Sequence, residues 1–411
     1  MRERGRRPAR KRIEMSMRKT LLAAGLMAAG AAAGTPAAAQ NDIVIGASLG
    51  LTGIYSTIAK TTEVAIDIAV AEINAAGGIN GKKVRVAKYD TAGDPKQAVV
   101  AVRKFARDDG ALAVVGPFSS SEARVAFAAG ERARIVQIPN ASSAPKLADK
   151  FSYAFRMTEN EGLQFQRVIS TLKKRGMSIK SAAIMHGTDD VVSKAVGLFI
   201  MKPIFAKNGV KLAKAPIGFE TKAVDVSAQV TQLKGQKIDY VGLAGITPVA
   251  VRVLKEMRRQ GVMTPIIGAQ IWADPEITRQ MGKYGEGAVF SAWFWYKKDE
   301  RSREFTRKFV AENKKRGVDK PFPHHVDASA YDAVYLLKQV MEEQKVTGDP
   351  ARLAEERTKI RDGLHTVVYN GVIGQICFEK TGDAQLPGYV MTMKNSEWVL
   401  LGEHKSLPCK N

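Results

Sequence analysis

The chain has 411 residues, of which 45% are hydrophobic, 7% aromatic and 25% charged, with a formal net charge of +22. That length is too great for a single hydrophobic core, so two lobes are expected, and the proportions are those of an ordinary soluble globular protein. The basic residues are scattered over helix faces (Lys173, Lys174 and Arg175; Arg301, Arg303, Arg307 and Lys308) with no aromatics between them, a pattern of solvated surface rather than of nucleic-acid binding.

The first segment differs from the rest. Residues 1–19 hold nine Lys or Arg against Glu3 and Glu14. An alanine-rich apolar run from Leu21 to about Ala33 follows, then Ala37-Ala38-Ala39. A basic stretch, a short apolar stretch and an A-x-A site describe a secretory signal peptide cut after Ala39, and the run is short for a membrane span. Residues 1–39 are therefore expected to be removed on export, leaving a mature chain with a charge near +15. No cysteine follows the apolar run, so no lipid anchor is expected.

From Asp42 the chain alternates. Asp42–Ser48 reads as a strand, and Val64, Ile68, Ala71 and Ala75 give a helix that stops at Gly77-Gly78. Lys83–Tyr89 reads as a strand, and Asp94-Pro95 as an N-cap and first helical residue. Two short apolar runs, Ala111–Val115 and Ile135–Ile138, each end in a hydroxyl-rich turn: Ser119-Ser120-Ser121 and Asn140-Ala141-Ser142-Ser143. A second series of helices and strands begins near Glu161, with strands at 181–185, 211–217, 240–243 and 265–268. Helices are expected at 301–316, 327–344 and 352–364, and the C-terminal stretches 371–378, 388–393 and 398–401 look like antiparallel strands. This alternation predicts an α/β protein with two doubly wound parallel-sheet lobes.

Motifs of catalysis are missing. There is no G-x-S-x-G, H-E-x-x-H, C-x-x-C or G-x-x-x-x-G-K, and no enzyme activity and no cofactor are expected. His324-His325 suits a surface or cleft lining better than a metal site, and no metal is expected. Asp189-Asp190 reads foremost as a helix N-cap. Cys377 and Cys409 form one disulfide or remain two free thiols. The serine turns are the richest feature. In an open α/β sheet, ligands sit beyond the carboxyl ends of parallel strands, where hydroxyls and free N–H groups can hold one carboxylate. Ser119 with Glu122 also spells a capping box, so capping and anion binding are both open at that turn.

Several stretches, IVIGASLGLTG, AEINAAGGINGKKVRV, YDTAGDPKQAV, VVGPFSSSEA and SAAIMHGTDD, occur in an order that resembles the leucine/isoleucine/valine type of periplasmic solute-binding protein, the type that serves ABC importers. The resemblance spans roughly residues 42–400. It implies two lobes joined by three crossovers near 156–161, 290–297 and 368–374. Lobe one would then be 40–158 with 295–369, and lobe two 159–294 with 370–411. It also implies hinge closure on a small ligand and delivery to an inner-membrane permease and ATPase; a sensor for a membrane receptor shares the fold.

By the same resemblance, Ser120, the Ala141 N–H and Ser143 match the positions that grip a ligand carboxylate. The acid that normally meets an amino acid's ammonium falls on Gln270, and two ligand-holding tyrosines fall on Ile246 and Val191. A buried ammonium without a charged partner is costly. The expected ligand is therefore a carboxylate with an apolar or aromatic body and no α-ammonium, the alternative being a hydrophobic amino acid. Tyr55, Trp272 and His325 are further candidates for the lining.

Overall fold

The computed structural model describes residues 42–406 and 408–409. The expected leader lies outside the described residues. Strands β1 (Ile43–Leu49), β2 (Val84–Asp90), β3 (Ala113–Val115) and β4 (Val136–Ile138) form a parallel sheet in the order β2-β1-β3-β4. They alternate with helices α1 (Ser56–Ala75), α2 (Pro95–Arg107) and α3 (Ser120–Ala133). Nearly every residue of β1, β3 and β4 is buried on both faces, which explains why these strands read as continuous apolar runs. One face packs against α1; the other carries Val44, Phe105, Val114 and Ala126, where α2 and α3 cover the sheet.

After α4 (Glu161–Lys174) the chain builds the second sheet from β5 (Ser181–Gly187), β6 (Lys211–Leu212), β7 (Ile217–Phe219), β8 (Tyr240–Ala244), β9 (Ile266–Gly268) and β10 (Val289–Ala292). The helical segment after Asp190 is continuous but not uniform: α5 (Val191–Ala195), one π-helical stretch (Val196–Met201) and α6 (Lys202–Lys207) follow directly on one another. The expected strand at 211–217 is two pieces, both paired to β5. Helices α7 (Ser227–Thr231), α8 (Thr247–Arg259) and α9 (Pro275–Met281) cover one face of this sheet, and α4 and the π-helical segment the other.

At Trp293 the chain enters the first lobe's core, where α10 (Glu300–Lys315) and α11 (His325–Glu343) pack beside α1, and α12 (Leu353–Thr366) follows. The short antiparallel strands β11 (Tyr369–Asn370), β12 (Gln375–Phe378) and β13 (Ala384–Gln385) come next. β14 (Gly388–Lys394) then pairs antiparallel with β10, and β15 (Glu397–His404) antiparallel with β14, at the edge of the second sheet. The two-lobe α/β architecture is thus the expected one. Among the described residues no helix is long and apolar enough to cross a membrane.

One boundary must be corrected. Residues 370–386, expected in lobe two, pack in lobe one. Val372, Ile373, Ile376, Ala384 and Leu386 join the core that contains β1, α1 and α11. The buried carboxylate of Asp332 on α11 accepts from the N–H groups of Val372 and Ile373, each at 2.9 Å. The third crossing therefore lies between Leu386 and Tyr389, the latter already in the second lobe's core. Strand-like patterning shows that a segment pairs but not which core receives it. Cys377 of β12 is joined to Cys409 by a disulfide.

Arg156, fully buried, fastens this segment. Its guanidinium forks onto Asp383 with two contacts of 2.6 Å, and its third nitrogen donates to the carbonyls of Ser142 and Ala144. Replacing one member of a buried pair leaves the other uncompensated, at a cost of about 3–5 kcal/mol. Arg156→Met is expected to lower stability by that order in urea titration; an unchanged midpoint would mean that the pair carries none of the fold's stability.

Candidate functional site

The two hydroxyl turns lie side by side and bond to each other. Ser119 caps α3 in a full capping box: its hydroxyl oxygen accepts from Glu122 N–H at 3.3 Å, and the Glu122 carboxylate accepts from Ser119 N–H at 2.9 Å. The capping reading of this turn therefore holds, and the next residue, Ser120, takes no part in the box. The Ser120 oxygen accepts from Ala144 N–H at 3.2 Å, and Ser142 donates to the Phe118 carbonyl at 3.2 Å. Behind them, Thr158 and Arg156 hold the Ser142 carbonyl. The turns are thus supported from behind while Ser120, Ala141 and Ser143 line a cavity.

That cavity encloses about 720 Å³, its mouth included. Its wall is mostly apolar: Ile58, Phe118, Val192, Val196, Ile246 and Val326 contribute. Five helices begin at it. Ser120, Glu161 and His325 are the first residues of α3, α4 and α11, while Asp190 and Ile246 are the N-caps of α5 and α8. Helix N-termini present unpaired N–H groups and partial positive charge, so their convergence favours a negative group. Among the described residues lining the cavity there is no lysine or arginine.

Of the expected lining residues, Tyr55, Ser120, Ala141, Ser143, Ile246, Gln270 and His325 all face this space. Tyr55 leans on Phe118 with ring centroids 5.4 Å apart, and burial with the nearby Asp190 carboxylate pushes its phenol up. Gln270 is buried, and its side-chain Oε1 has no hydrogen-bond partner. Unsatisfied buried acceptors are rare. His324 caps α11: its Nδ1 accepts from Val326 N–H at 3.3 Å, which leaves the proton on Nε2, donated to the Ile271 carbonyl at 3.2 Å. Burial holds this imidazole down to about 4, so it is neutral at pH 7. His325, stacked edge-on against Trp293, is lowered further by burial, and its Nδ1 is unpartnered.

Two expected residues lie elsewhere. Trp272 is fully buried behind the cavity, its indole laid over Gly268 at the end of β9. Val191 is 45% exposed and turned outward. At 100° per residue, Asp190, Val192, Ser193 and Val196 share the cavity face of the helix, and position 191 falls on the opposite side. Of the neighbouring acids, Asp189 accepts from Thr221 away from the cavity, whereas Asp190 lines it while capping α5 through Ser193 N–H at 2.7 Å. His186 is buried against the Gly187 carbonyl and does not reach the site.

The residue that the sequence did not disclose is Glu161. It is buried in the cavity wall, where Oε2 accepts from the Ser143 hydroxyl at 3.1 Å and Oε1 from the Gln270 N–H at 3.2 Å. It therefore bridges a serine turn of the first lobe to the β9 loop of the second. Burial pushes its carboxyl up to about 7 against the opposing effect of those two hydrogen bonds. In the sequence, an acid directly after Asn160 at the start of a helix reads only as a complement to the helix dipole. His324 to the Ile271 carbonyl and Lys320 to Asp274 at 3.3 Å also cross between the lobes. Among the described residues no group of three or more His, Cys, Asp or Glu is arranged to hold a metal ion.

Gly268 is the hinge of this loop's packing. A Cβ there would sit 2.2 Å from the Trp272 ring, so the indole can cover the strand end only because the side chain is absent. Gly268→Ala is expected to cost about 1–3 kcal/mol in chemical denaturation, as overpacking does, and to shift Gln270; full retention of stability would show that the indole can move freely.

Comparison with known proteins agrees with this geometry. A family model described as periplasmic binding protein matches residues 42–397. An amino acid binding protein of Pseudomonas aeruginosa is 26% identical over 402 residues, covering 95% of this chain and 100% of the relative. Leu/Ile/Val-binding protein homolog 1 of Brucella melitensis is 25% identical, covering 91% and 96%. Among solved structures, the LivJ substrate-binding protein of a branched-chain amino acid transporter from Streptococcus pneumoniae, in complex with isoleucine, superposes with a TM-score of 0.75 at 22% identity, covering 89% of this chain and 100% of that one. A solute-binding protein of an ABC transporter from Rhodopseudomonas palustris, in complex with benzoate, gives 0.75 at 16% identity, covering 90% and 98%. At such identities the structural likeness speaks for the fold alone. On the family match, which spans nearly all of the described chain, the protein belongs to the periplasmic binding protein family.

Proposed function

We propose that the protein captures a small carboxylate solute in the periplasm by closure of its two lobes and delivers it to an ABC permease and ATPase in the inner membrane. One observation carries the ligand class. The hydroxyls of Ser120 and Ser143, with Ala141, line a mostly apolar cavity at which five helix N-termini converge. A carboxylate set there meets neutral donors and oriented dipoles and needs no cation. The ligand body faces Ile58, Phe118, Ile246 and Val326, which suits an aromatic or branched aliphatic group. Gln270 brings no charge to the place where an amino acid's ammonium would be met, and this supports a carboxylate without an α-ammonium. The presence of Glu161 and Asp190 in the wall supports a second reading, a hydrophobic amino acid whose ammonium pairs with one of them.

Mass spectrometry of the solute released from purified, unfolded protein tests the class directly. A small monocarboxylate is expected, and a sugar, polyamine or other ligand without a carboxylate would overturn the proposal. With that carboxylate in hand, Ser120→Ala combined with Ser143→Ala is expected to weaken binding by about 3–6 kcal/mol, since each lost hydrogen bond to a charged group is worth about 1.5–3 kcal/mol. Calorimetric titration of the double variant reads this, and an unchanged affinity would place the carboxylate elsewhere.

A further inference from the structure

Glu161 and a ligand carboxylate compete for one proton. A serine hydroxyl has a single O–H to donate. In the structure Ser143 points it at Glu161 Oε2, while Glu161 Oε1 takes the N–H of Gln270. With Glu161 ionised, both of its oxygens are acceptors and the Ser143 hydrogen is committed to it. The Ser143 oxygen could then offer only lone pairs to a second carboxylate. With Glu161 protonated on Oε2, the direction reverses. Its O–H donates to Ser143, and the Ser143 hydrogen is released toward the cavity.

The surroundings of Glu161 bear on the same choice. The titratable groups that share its cavity are Tyr55 from the loop before α1, Asp190 from the start of α5, and His324 and His325 from the start of α11. Both imidazoles are held neutral by burial, and Asp190 is itself an acid occupied with Ser193. On its own helix, Arg167 is paired with Glu159, so that cation is already used. The N-terminus of α4 favours an ionised Glu161 while no ligand anion is in the cavity. A second carboxylate in the same low-dielectric space reverses that preference, because two like charges cannot share it cheaply.

We propose, on the carboxylate reading given above, that Glu161 is a specificity-determining residue that enters the ligand complex as a neutral acid, turning Ser143 toward the ligand, so that the protein takes up one proton with each anionic carboxylate it binds. The proton comes from solvent and resides on Glu161 Oε2; no covalent bond forms or breaks elsewhere. Burial already holds Glu161 near neutrality in the free protein, at about 7. The sign follows from linkage. The protonated form is the binding form, so affinity for an anion is level below pH 7 and falls as pH rises above it, about tenfold per unit.

Calorimetric titration with benzoate, 4-methyl-2-oxopentanoate and L-leucine, from pH 5.5 to 8.5 in buffers of different ionisation heat, tests this by counting protons. The expected result for wild type is binding of one of the first two, with uptake approaching one proton at pH 8 and the stated loss of affinity. Glu161→Gln keeps both contacts, with its amide donating to Ser143 and its oxygen accepting from Gln270 N–H. It is expected to bind the same anion with no proton uptake and no fall in affinity above pH 7. Anion binding by wild type that is independent of pH and of buffer heat would overturn the inference and leave the carboxylate reading standing. Leucine bound without proton uptake, and lost in Glu161→Gln, would also overturn it, showing a charged Glu161 that pairs with the ammonium. If wild type binds none of the three at any pH, the ligand class proposed above fails, and this inference fails with it.

Discussion

Two buried ion pairs at the crossings govern the geometry of everything above them. Arg156 reaches from the first crossing to Asp383 and at the same time to the carbonyls of the second serine turn. A few residues on, Glu159 receives Arg167 and the N–H of Leu386, while Arg167 also donates to the carbonyls of Leu386 and Pro387. The first and third crossings are thereby knitted together at one level. Buried pairs of this kind return little net stability relative to apolar packing, but breaking one is costly, so they fix position more than they add free energy. Here the position they fix is that of the Ser142–Ala144 carbonyls, hence of the hydroxyl groups on the opposite side of the same turn.

The cavity carries out its electrostatics without a single cation. Its acidic side chains are Glu161 and Asp190, its two imidazoles are neutral, and its positive character comes from backbone N–H groups at helix starts. Such dipoles are fixed by the fold and lose no side-chain entropy on meeting a ligand. They also leave the wall free to be apolar, so the body of the ligand and its charged end are read by different parts of the same surface. The orphaned Oε1 of Gln270 and Nδ1 of His325 are the two places where that division is incomplete.

Much of this was legible in the sequence because it follows from local rules. Strand and helix periods gave the two series, and apolar runs ending in Ser119–Ser121 and Asn140–Ser143 located one wall of the cavity. What was missed depends on relations that no window of residues contains. Val191 and Val192 are chemically equal in the sequence; only the phase of the helix that follows Asp190 decides which one faces inward. Trp272 looks like an aromatic lining group until Gly268 supplies the flat surface it covers. Residues 370–386 show their strand character but not the Asp332 carboxylate that draws their N–H groups into the first lobe. Glu161 is the clearest case, since a helix-starting acid is unremarkable until Ser143 and Gln270 close on it from two other segments.

The Cys377–Cys409 disulfide has a mechanical meaning once β12 is placed in the first lobe. Cys377 belongs to that lobe, whereas Cys409 follows β15 of the second lobe's sheet by only a few residues. The bond therefore acts as a strap between lobes, a fourth covalent connection beside the three chain crossings. Cys409 lies five positions beyond His404, and five residues span at most about 17 Å when fully extended. Under the proposed closure of the lobes, that edge of the second sheet would stay within this reach of the first lobe.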